Sequence, residues 1–584
     1  MSRLLIEGLP GQSNIEGARF EGARLQPCRK ASQSEGALAP EGSSFVSGHD
    51  FSRAEGAPNR EGALAPEGAE GASRRARSTA EGAIRRAPST RVPHICPPLA
   101  DVGEHEPHPA REDDPKLKEH CGVVAIHGHP DASRQAYLAL YALQHRGQES
   151  AGIATADGTH LSNIKGMGLV SEIFTDEVLA RLKGDMAIGH TRYSTTGDSA
   201  LLNAQPIRVE STKGLIAIAH NGNLVNLGNL RIHLERKGAF FQTTSDSEII
   251  VQLIAHSQAT TLVDAIADSL RQVDGACSIV MMTRDRVFAA RDPHGFRPLS
   301  MGRIANPSGP DTIVFASETC AFDLLRAKYE RDVLPGELVM VSADGVTSRQ
   351  YAQPNQTSCI FEHVYFARPD SMIYGRWVQE SREQMGRQLA RESHVPADLV
   401  VPVPDSGVTA AIGYAAESGV PFRFGLIRNH YVGRTFIEPE QRVRDFGVKL
   451  KLNPVRNLLE GRRIILIDDS IIRGTTSRKI VRMVRQAGAK EVHLRISCPP
   501  TISPCFYGVD TPRKSELIAA NNTVEQIRQF IEADSLAYLS LDGLQKACDG
   551  GEGNHYCVAC YTGDYPTQWV DVEDILPAKD TALV

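Results

Sequence analysis

The sequence predicts two folded domains of different class behind a leader with no fold of its own. Residues 121–355 read as an α+β layered domain, residues 356–584 as an α/β domain on a parallel, doubly wound sheet, and residues 1–120 as the leader. Three observations carry this. A chain of 584 residues exceeds what one hydrophobic core organises. Its first stretch is a biased repeat. After about residue 398, short strands and turns give way to strand–loop–helix units.

In the leader, Glu-Gly-Ala recurs from Glu16, Glu21, Glu35, Glu55, Glu61, Glu67, Glu70 and Glu81, and the octet Glu-Gly-Ala-Leu-Ala-Pro-Glu-Gly starts at Glu35 and Glu61. The spacing is irregular, which excludes a solenoid period. Gly and Pro break helices and large apolar residues are few, so disorder is expected. An organelle transit peptide fits the Arg, Ser and Ala but not the repeated Glu. A wrongly assigned start is a third reading. The next methionine, Met167, would delete Cys121, so a shorter start needs another codon upstream of Cys121.

The bulk balance excludes several classes. A net charge of −6 with 23 % charged residues leaves no general nucleic-acid footprint. No apolar run is long enough to span a bilayer, and residues 1–24 hold no secretory core. A cytoplasmic protein is expected. In that setting eleven cysteines point to chemistry or metal rather than disulfides.

The first domain opens on Cys121-Gly122-Val123-Val124-Ala125-Ile126, a buried-strand pattern that begins with a thiol. A cut between His120 and Cys121 would put that thiol and a free α-amine on one residue. Such an amine titrates at about 7.7–8.0, so it can take the thiol proton without a histidine. The same residue also reads as an ordinary buried cysteine. Residues 216–220, 277–282 and 313–316 read as strands, and 136–145 and 247–256 as helices. Polar residues 350–358 mark the boundary.

In the second domain, residues 399–403 precede Pro404-Asp405-Ser406-Gly407 and a helix over 408–416. The strand Ile464-Ile465-Leu466-Ile467 delivers Asp468 and Asp469 to its carboxyl edge, where ligands bind in such sheets. Arg473-Gly474-Thr475-Thr476-Ser477 then opens a helix whose free N–H groups face an anion. The paired acids suit ribose hydroxyls or a magnesium ion carrying pyrophosphate. Read blandly, the acids cap a turn and the hydroxyls cap a helix.

This stretch resembles the phosphoribosyl pyrophosphate (PRPP) loop of type I phosphoribosyltransferases. Val403-Pro404-Asp405-Ser406-Gly407 resembles their pyrophosphate loop. Asn429 with Tyr431-Val432-Gly433-Arg434-Thr435-Phe436-Ile437, and Tyr365-Phe366-Ala367-Arg368-Pro369-Asp370-Ser371, resemble the amidophosphoribosyltransferases. The likeness covers residues 121 to about 570. One departure is visible: the family's usual Lys-Asn-Arg-Tyr is Arg428-Asn429-His430-Tyr431 here, which bears on nucleotide inhibition near this loop.

The first half is similar to class II, N-terminal-nucleophile glutaminases, which implies a four-layer αββα sandwich. The motifs are Gln144-His145-Arg146-Gly147-Gln148-Glu149-Ser150, Gly189-His190-Thr191-Arg192-Tyr193-Ser194-Thr195, His220-Asn221-Gly222-Asn223 and Ser245-Asp246-Ser247-Glu248. The resemblance implies that Cys121 attacks the glutamine amide and that Asn221 and the Gly222 N–H hold the oxyanion. Arg192 clamps the α-carboxylate and Asp246 the α-ammonium. Each has an ordinary alternative: Asn-Gly as a turn, Asp246 as a helix cap, Arg192 as a surface ion pair. PRPP would be held by Asp468, Asp469, Arg473, Gly474, Thr475, Thr476, Ser477 and Arg434, with one magnesium ion per subunit at Ser406, Asp468 and Asp469. The implied reaction passes ammonia through an internal channel to C1 of PRPP, releasing pyrophosphate and giving 5-phosphoribosylamine. A homotetramer with purine nucleotide feedback is also implied.

Cys557-Val558-Ala559-Cys560 alone is compatible with zinc, redox chemistry or neither. Cys359 and Cys505 resemble cluster-binding positions of the family's iron–sulfur branch, implying one structural [4Fe–4S] cluster per subunit on Cys359, Cys505, Cys557 and Cys560. Zinc on the same four thiolates is the physical alternative. Cys498 and Cys548 match neither. In that branch the leader is removed to expose the nucleophile. Two rival functions remain at this point. Another class II glutamine amidotransferase would lack the loop from Asp468 to Ser477. A PRPP-sensing transcriptional regulator would need a basic face and no glutaminase.

Overall fold

The computed structural model describes residues 121–193, 200–429, 451–509, 511, 513–549 and 556–567. The leader, Ser194 and Thr195, and the loop bearing His430 and Arg434 lie outside the described residues. All described residues fall in one compact unit, 106–584.

The first half is built on two antiparallel sheets. In the seven-stranded sheet, Gly122–His127 lies between Thr312–Ala316 and Met186–Arg192, with Ser150–Ala156 next along. In the six-stranded sheet, Gly214–Leu224 lies between Gly275–Met282 and Ile207–Ser211. Side chains alternate across a strand, and that alternation divides the core. Val123 and Ala125 meet Ala217, Ala219 and Val280 between the sheets. Val124 and Ile126 point the other way, onto Ala136, Leu140 and Leu143 under the helix Ala132–Ala142. On the far face, Ser247–His256 and Leu262–Leu270 pack on Ile218, Ile279 and Met281. The result is the expected αββα order of layers.

The second half has a four-stranded parallel sheet in the order Leu399–Pro402, Arg463–Asp468, Glu491–Ile496, Ser535–Tyr538. Ile464 to Ile467 are wholly buried, the mark of a strand covered on both faces. The helices Val408–Ser418 and Thr475–Gln486 follow the first two strands.

Two helices differ from expectation at their ends. The helix expected over 136–145 starts earlier and stops at Ala142, and a 3-10 turn, Gln144–Arg146, follows. The stop turns Arg146 inward. The helix expected over 408–416 runs to Ser418, where left-handed Gly419 ends it.

Candidate active sites

The nucleophile end of the first half forms where strands of the two sheets converge. Gly122 pairs with Thr191, which brings Arg192 beside the Cys121 end of its strand. His190 Nε2 donates to the His220 carbonyl at 3.1 Å, tying that strand to the facing sheet just before Asn221. The Cys121 thiol donates to the Tyr193 carbonyl at 3.5 Å, and Arg146 Nε donates to the Cys121 carbonyl at 3.2 Å.

Burial dominates the electrostatics. It pushes the Cys121 thiol up to about 11, against smaller downward pulls from the Tyr193 backbone and Arg192. The thiol is therefore protonated at neutral pH and needs a base. His190 is also buried and pushed down to about 3, so it stays neutral. Asp246 faces His220 Nδ1 at 3.4 Å and accepts from the Leu224 N–H at 3.3 Å. Burial acts against both charges, yet the attraction wins: the Asp246 carboxyl lies below its ordinary value and His220 above its own. Asp246 stands at the start of the helix Ser247–His256 but makes no side-chain cap bond there, so the capping alternative fails. Arg192 is 3 % exposed with Glu149 at 3.8 Å, which removes the surface-pair alternative.

Asn221 is fully buried, yet neither its amide nitrogen nor its amide oxygen has a hydrogen-bond partner among the described residues. An unmade pair of buried amide bonds costs several kcal/mol in total, about 1–3 for each group. Gly222 beside it has φ +150, and a Cβ there would meet the Ala276 carbonyl oxygen at 2.1 Å. No side chain fits at this point of the wall.

The second site lies at the carboxyl end of Arg463–Asp468. A pocket of about 380 Å³ is lined by Asp468, Asp469, Arg473, Gly474, Thr476, Ser477 and Tyr365 among others. Gly474 takes φ +75 ahead of the helix Thr475–Gln486, a left-handed position that turns the helix N-terminus onto the pocket. Ser470 Oγ donates to Asp469 at 2.6 Å. The buried hydroxyls of Thr476 and Ser406 have no partner among the described residues. Thr475 is the first residue of the same helix but is not on the lining. Arg473 is engaged elsewhere: both Nε and NH2 bond Glu516, at 3.0 and 2.5 Å. Arg428 pairs with Asp405 of the neighbouring loop. Arg434 lies outside the described residues.

Four cysteines meet at a third place. The short strands Ser358–Cys359 and Tyr556–Cys557 pair in parallel, Cys359 opposite Cys557. With Cys505 and Cys560 they line one cavity of about 460 Å³. Among the described residues no group of three His, Cys, Asp or Glu side chains is close enough to share one metal ion.

Sequence reasoning gave no role to Arg146, His190, His220 or Tyr365. The first three lay inside quoted motifs, and Tyr365 opened one. That is the signal that could have found them.

A model of the glutamine amidotransferase domain matches residues 190–323. Amidophosphoribosyltransferase of Bacillus subtilis is 48 % identical over 477 residues, covering 80 % of this chain and 98 % of the relative. Amidophosphoribosyltransferase 1, chloroplastic, of Arabidopsis thaliana is 55 % identical over 466 residues, 79 % of this chain and 81 % of the relative. The chain belongs to the amidophosphoribosyltransferase family. It is a glutamine-dependent pentosyltransferase of the first step of purine biosynthesis. The solved structure of glutamine PRPP amidotransferase from B. subtilis, complexed with ADP and GMP, superposes with TM-score 0.73 at 47 % identity, covering 77 % of this chain and 98 % of that one. An antiparallel glutaminase followed by a parallel phosphoribosyltransferase is thus the family's architecture. The rival functions, which each lack one half, fall away. No helix among the described residues is long and apolar enough to cross a membrane.

Proposed function

We propose that residues 121–355 hydrolyse glutamine and residues 356–584 transfer the ammonia to PRPP. Cleavage after His120 frees the Cys121 α-amine, which titrates at about 7.7–8.0 and supplies the base that the buried thiol lacks. The thiol attacks the side-chain amide, and the oxyanion forms against the Asn221 amide and the Gly222 N–H. Arg192 holds the α-carboxylate in a planar fork and Asp246 holds the α-ammonium. The observation that carries this reading is Asn221. A buried donor with no partner is the form an oxyanion hole takes before its substrate arrives.

In the second half, the free N–H groups of the helix Thr475–Gln486 and the hydroxyls of Thr475, Thr476 and Ser477 receive phosphate, while Asp468 and Asp469 receive the ribose. Ammonia displaces pyrophosphate at C1. Arg434, outside the described residues, is assigned to PRPP by the family resemblance alone. Arg473 lines the same pocket while bonded to Glu516, and would contact PRPP from there.

Magnesium, which the family binds in general, fits Ser406, Asp468 and Asp469. The Ser406 hydroxyl is buried and unpartnered, and the acids are adjacent oxygen donors. When bound it neutralises pyrophosphate charge. A [4Fe–4S] cluster fits Cys359, Cys505, Cys557 and Cys560. Four thiols round a cavity suit a body larger than one ion, and the Tyr507 N–H already donates to Cys505 Sγ at 3.3 Å. Zinc on the same four thiolates is the physical alternative. The cluster supplies a structural tie. Purine nucleotides as feedback inhibitors, a homotetramer and a cytoplasmic location complete the reading. The leader's acidic repeats favour the cytoplasm over import.

The test is stoichiometric release of glutamate and pyrophosphate from glutamine and PRPP. Glutamate without pyrophosphate overturns the coupled reaction. Intact mass of the active enzyme must start at Cys121, and iron with acid-labile sulfide must co-purify. Zinc in their place overturns the cluster.

A further inference from the structure

Four ionised side chains lie out of water between the two halves. Arg146 is 1 % exposed, and Arg297, Glu318 and Glu362 are 0 % exposed. Their charges balance, two against two. Taking each ion from water costs several kcal/mol, and apolar residues of the same volume would generally hold the halves together as well. What such a set supplies is direction.

The direction is readable bond by bond. Glu362 receives both arms of the Arg146 fork, NH2 at 2.7 Å on Oε1 and NH1 at 3.0 Å on Oε2. Glu318 takes the second NH1 hydrogen at 2.5 Å. With both arms fixed, the guanidinium plane is fixed, and its Nε is aimed at the Cys121 carbonyl. Glu362 also receives Arg297 NH1 at 3.1 Å, and Arg297 spends Nε and NH2 on the Tyr507 carbonyl at 3.0 and 2.8 Å. Glu362 itself opens a single π-helical turn, Glu362–Phe366, three residues beyond Cys359. One carboxylate of the second half thus grips the nucleophilic residue of the first through one arginine.

We propose that Glu362 is a positioning residue for glutamine hydrolysis, acting through Arg146 on the Cys121 carbonyl. This rests on Cys121 being the nucleophile. The Cys121 carbonyl fixes the first peptide plane of the mature chain, and with it the directions of the α-amine and the thiol. A displacement of about 1 Å at a reacting group costs about 100-fold.

The test uses processed, cluster-loaded enzyme that begins at Cys121. Glu362→Gln keeps the shape but removes the charge that holds the fork. The expected result is a 10- to 100-fold fall in glutamine-dependent kcat, as scaled from that estimate. The KM for PRPP and the turnover with free ammonia should be unchanged, and the pH profile of Cys121 alkylation should be altered. An equal fall in both activities, or a fall in neither, overturns the proposal. Should Glu362→Gln fail to fold, Glu362→Gln with Arg297→Gln restores the charge balance and keeps a donor for the Tyr507 carbonyl. The same readouts then apply, and failure of both variants to accumulate makes the residue structural and also overturns the proposal. Cys121→Ser run in parallel separates the two readings. If it keeps glutamine turnover, the nucleophile is misassigned. If it is silent while Glu362→Gln is unaffected, only the positioning role fails.

Discussion

The nucleophile end of the first half and the acid-pair loop of the second are built in opposite ways. The first is assembled from strands far apart in the chain. Its charges are mutually engaged: Asp246 with His220, Arg146 with Glu318 and Glu362. The second is built on one continuous strand–loop–helix, with the Thr476 hydroxyl, and that of Ser406 from the loop after Leu399–Pro402, left unpartnered among the described residues. The difference follows from the ligands. A neutral amide must be activated inside a low-dielectric wall, where fixed dipoles act strongly. A multiply charged pyrophosphate brings its own field and needs only donors placed at a helix start.

The sharpest test removes each site in turn. Cys121→Ser should lower glutamine-dependent synthesis by about 1,000-fold or more, as loss of a nucleophile does, and leave ammonia-dependent synthesis intact. Loss of both would show that the two regions are not separable. Asp468→Asn with Asp469→Asn should cut PRPP turnover by about 100-fold or more, with PRPP-independent glutamine hydrolysis spared. Synthesis at the parent rate would remove the acids from the site. The comparison survives only if the two variants give opposite patterns.

The same contrast governs how much of the molecule was legible in its sequence. In the loop, sequence order is spatial order, so the sequence alone could bring Asp468, Asp469, Gly474, Thr476 and Ser477 together, and they line one pocket. Arg473 lines the same pocket, but its bond to Glu516, 43 positions away, could not be read. In the glutaminase, Cys121 alone was as consistent with a core thiol as with a nucleophile. Only agreement among four separated motifs joined it to Asn221 and Asp246. The ion set of Arg146, Arg297, Glu318 and Glu362 was invisible, because no periodicity distinguishes a wholly buried arginine from a surface one. Element type was legible where apolar alternation or continuity was long. Ends such as Ala142 were not, because tertiary packing sets them.

A subtler variant asks whether the cysteine-lined cavity touches only one of the two regions. Gly508 has φ +97, and a Cβ on it would lie 3.1 Å from the Gly222 carbonyl carbon. Beside it, Asn223 Nδ2 donates to the Phe506 carbonyl at 2.9 Å. The segment after Cys505 therefore braces the oxyanion strand. Gly508→Ala adds about 1–3 kcal/mol of backbone strain and presses on Gly222. Glutamine-dependent kcat should fall by about 10-fold, the rate equivalent of 1.4 kcal/mol. Ammonia-dependent synthesis and iron content should stay at parent levels. Equal losses in all three would mean that the segment serves the cavity alone.

The smallest effect lies within the first site, where His220 and the substrate ammonium compete for Asp246. The folded His220 value is raised, so its contribution to stability is complete below its ordinary 6.5 and is lost as pH rises through the folded value. Asp246 is lowered, so its contribution is present above its ordinary 3.8 and is lost as pH falls through the folded value. Between those limits the imidazolium partly neutralises Asp246. Above the upper one, His220 gives up its charge and Asp246 is left to the α-ammonium of glutamine. The KM for glutamine should therefore fall as pH rises through that upper value, by about threefold if the change in the contact is about 0.7 kcal/mol. The Cys121 α-amine titrates as well, so the readout is the difference between the parent enzyme and His220→Gln, measured across the pH range above 6. His220→Gln should flatten the KM profile and hold it near its high-pH value. An unchanged profile would mean that Asp246 serves His220 and not the substrate.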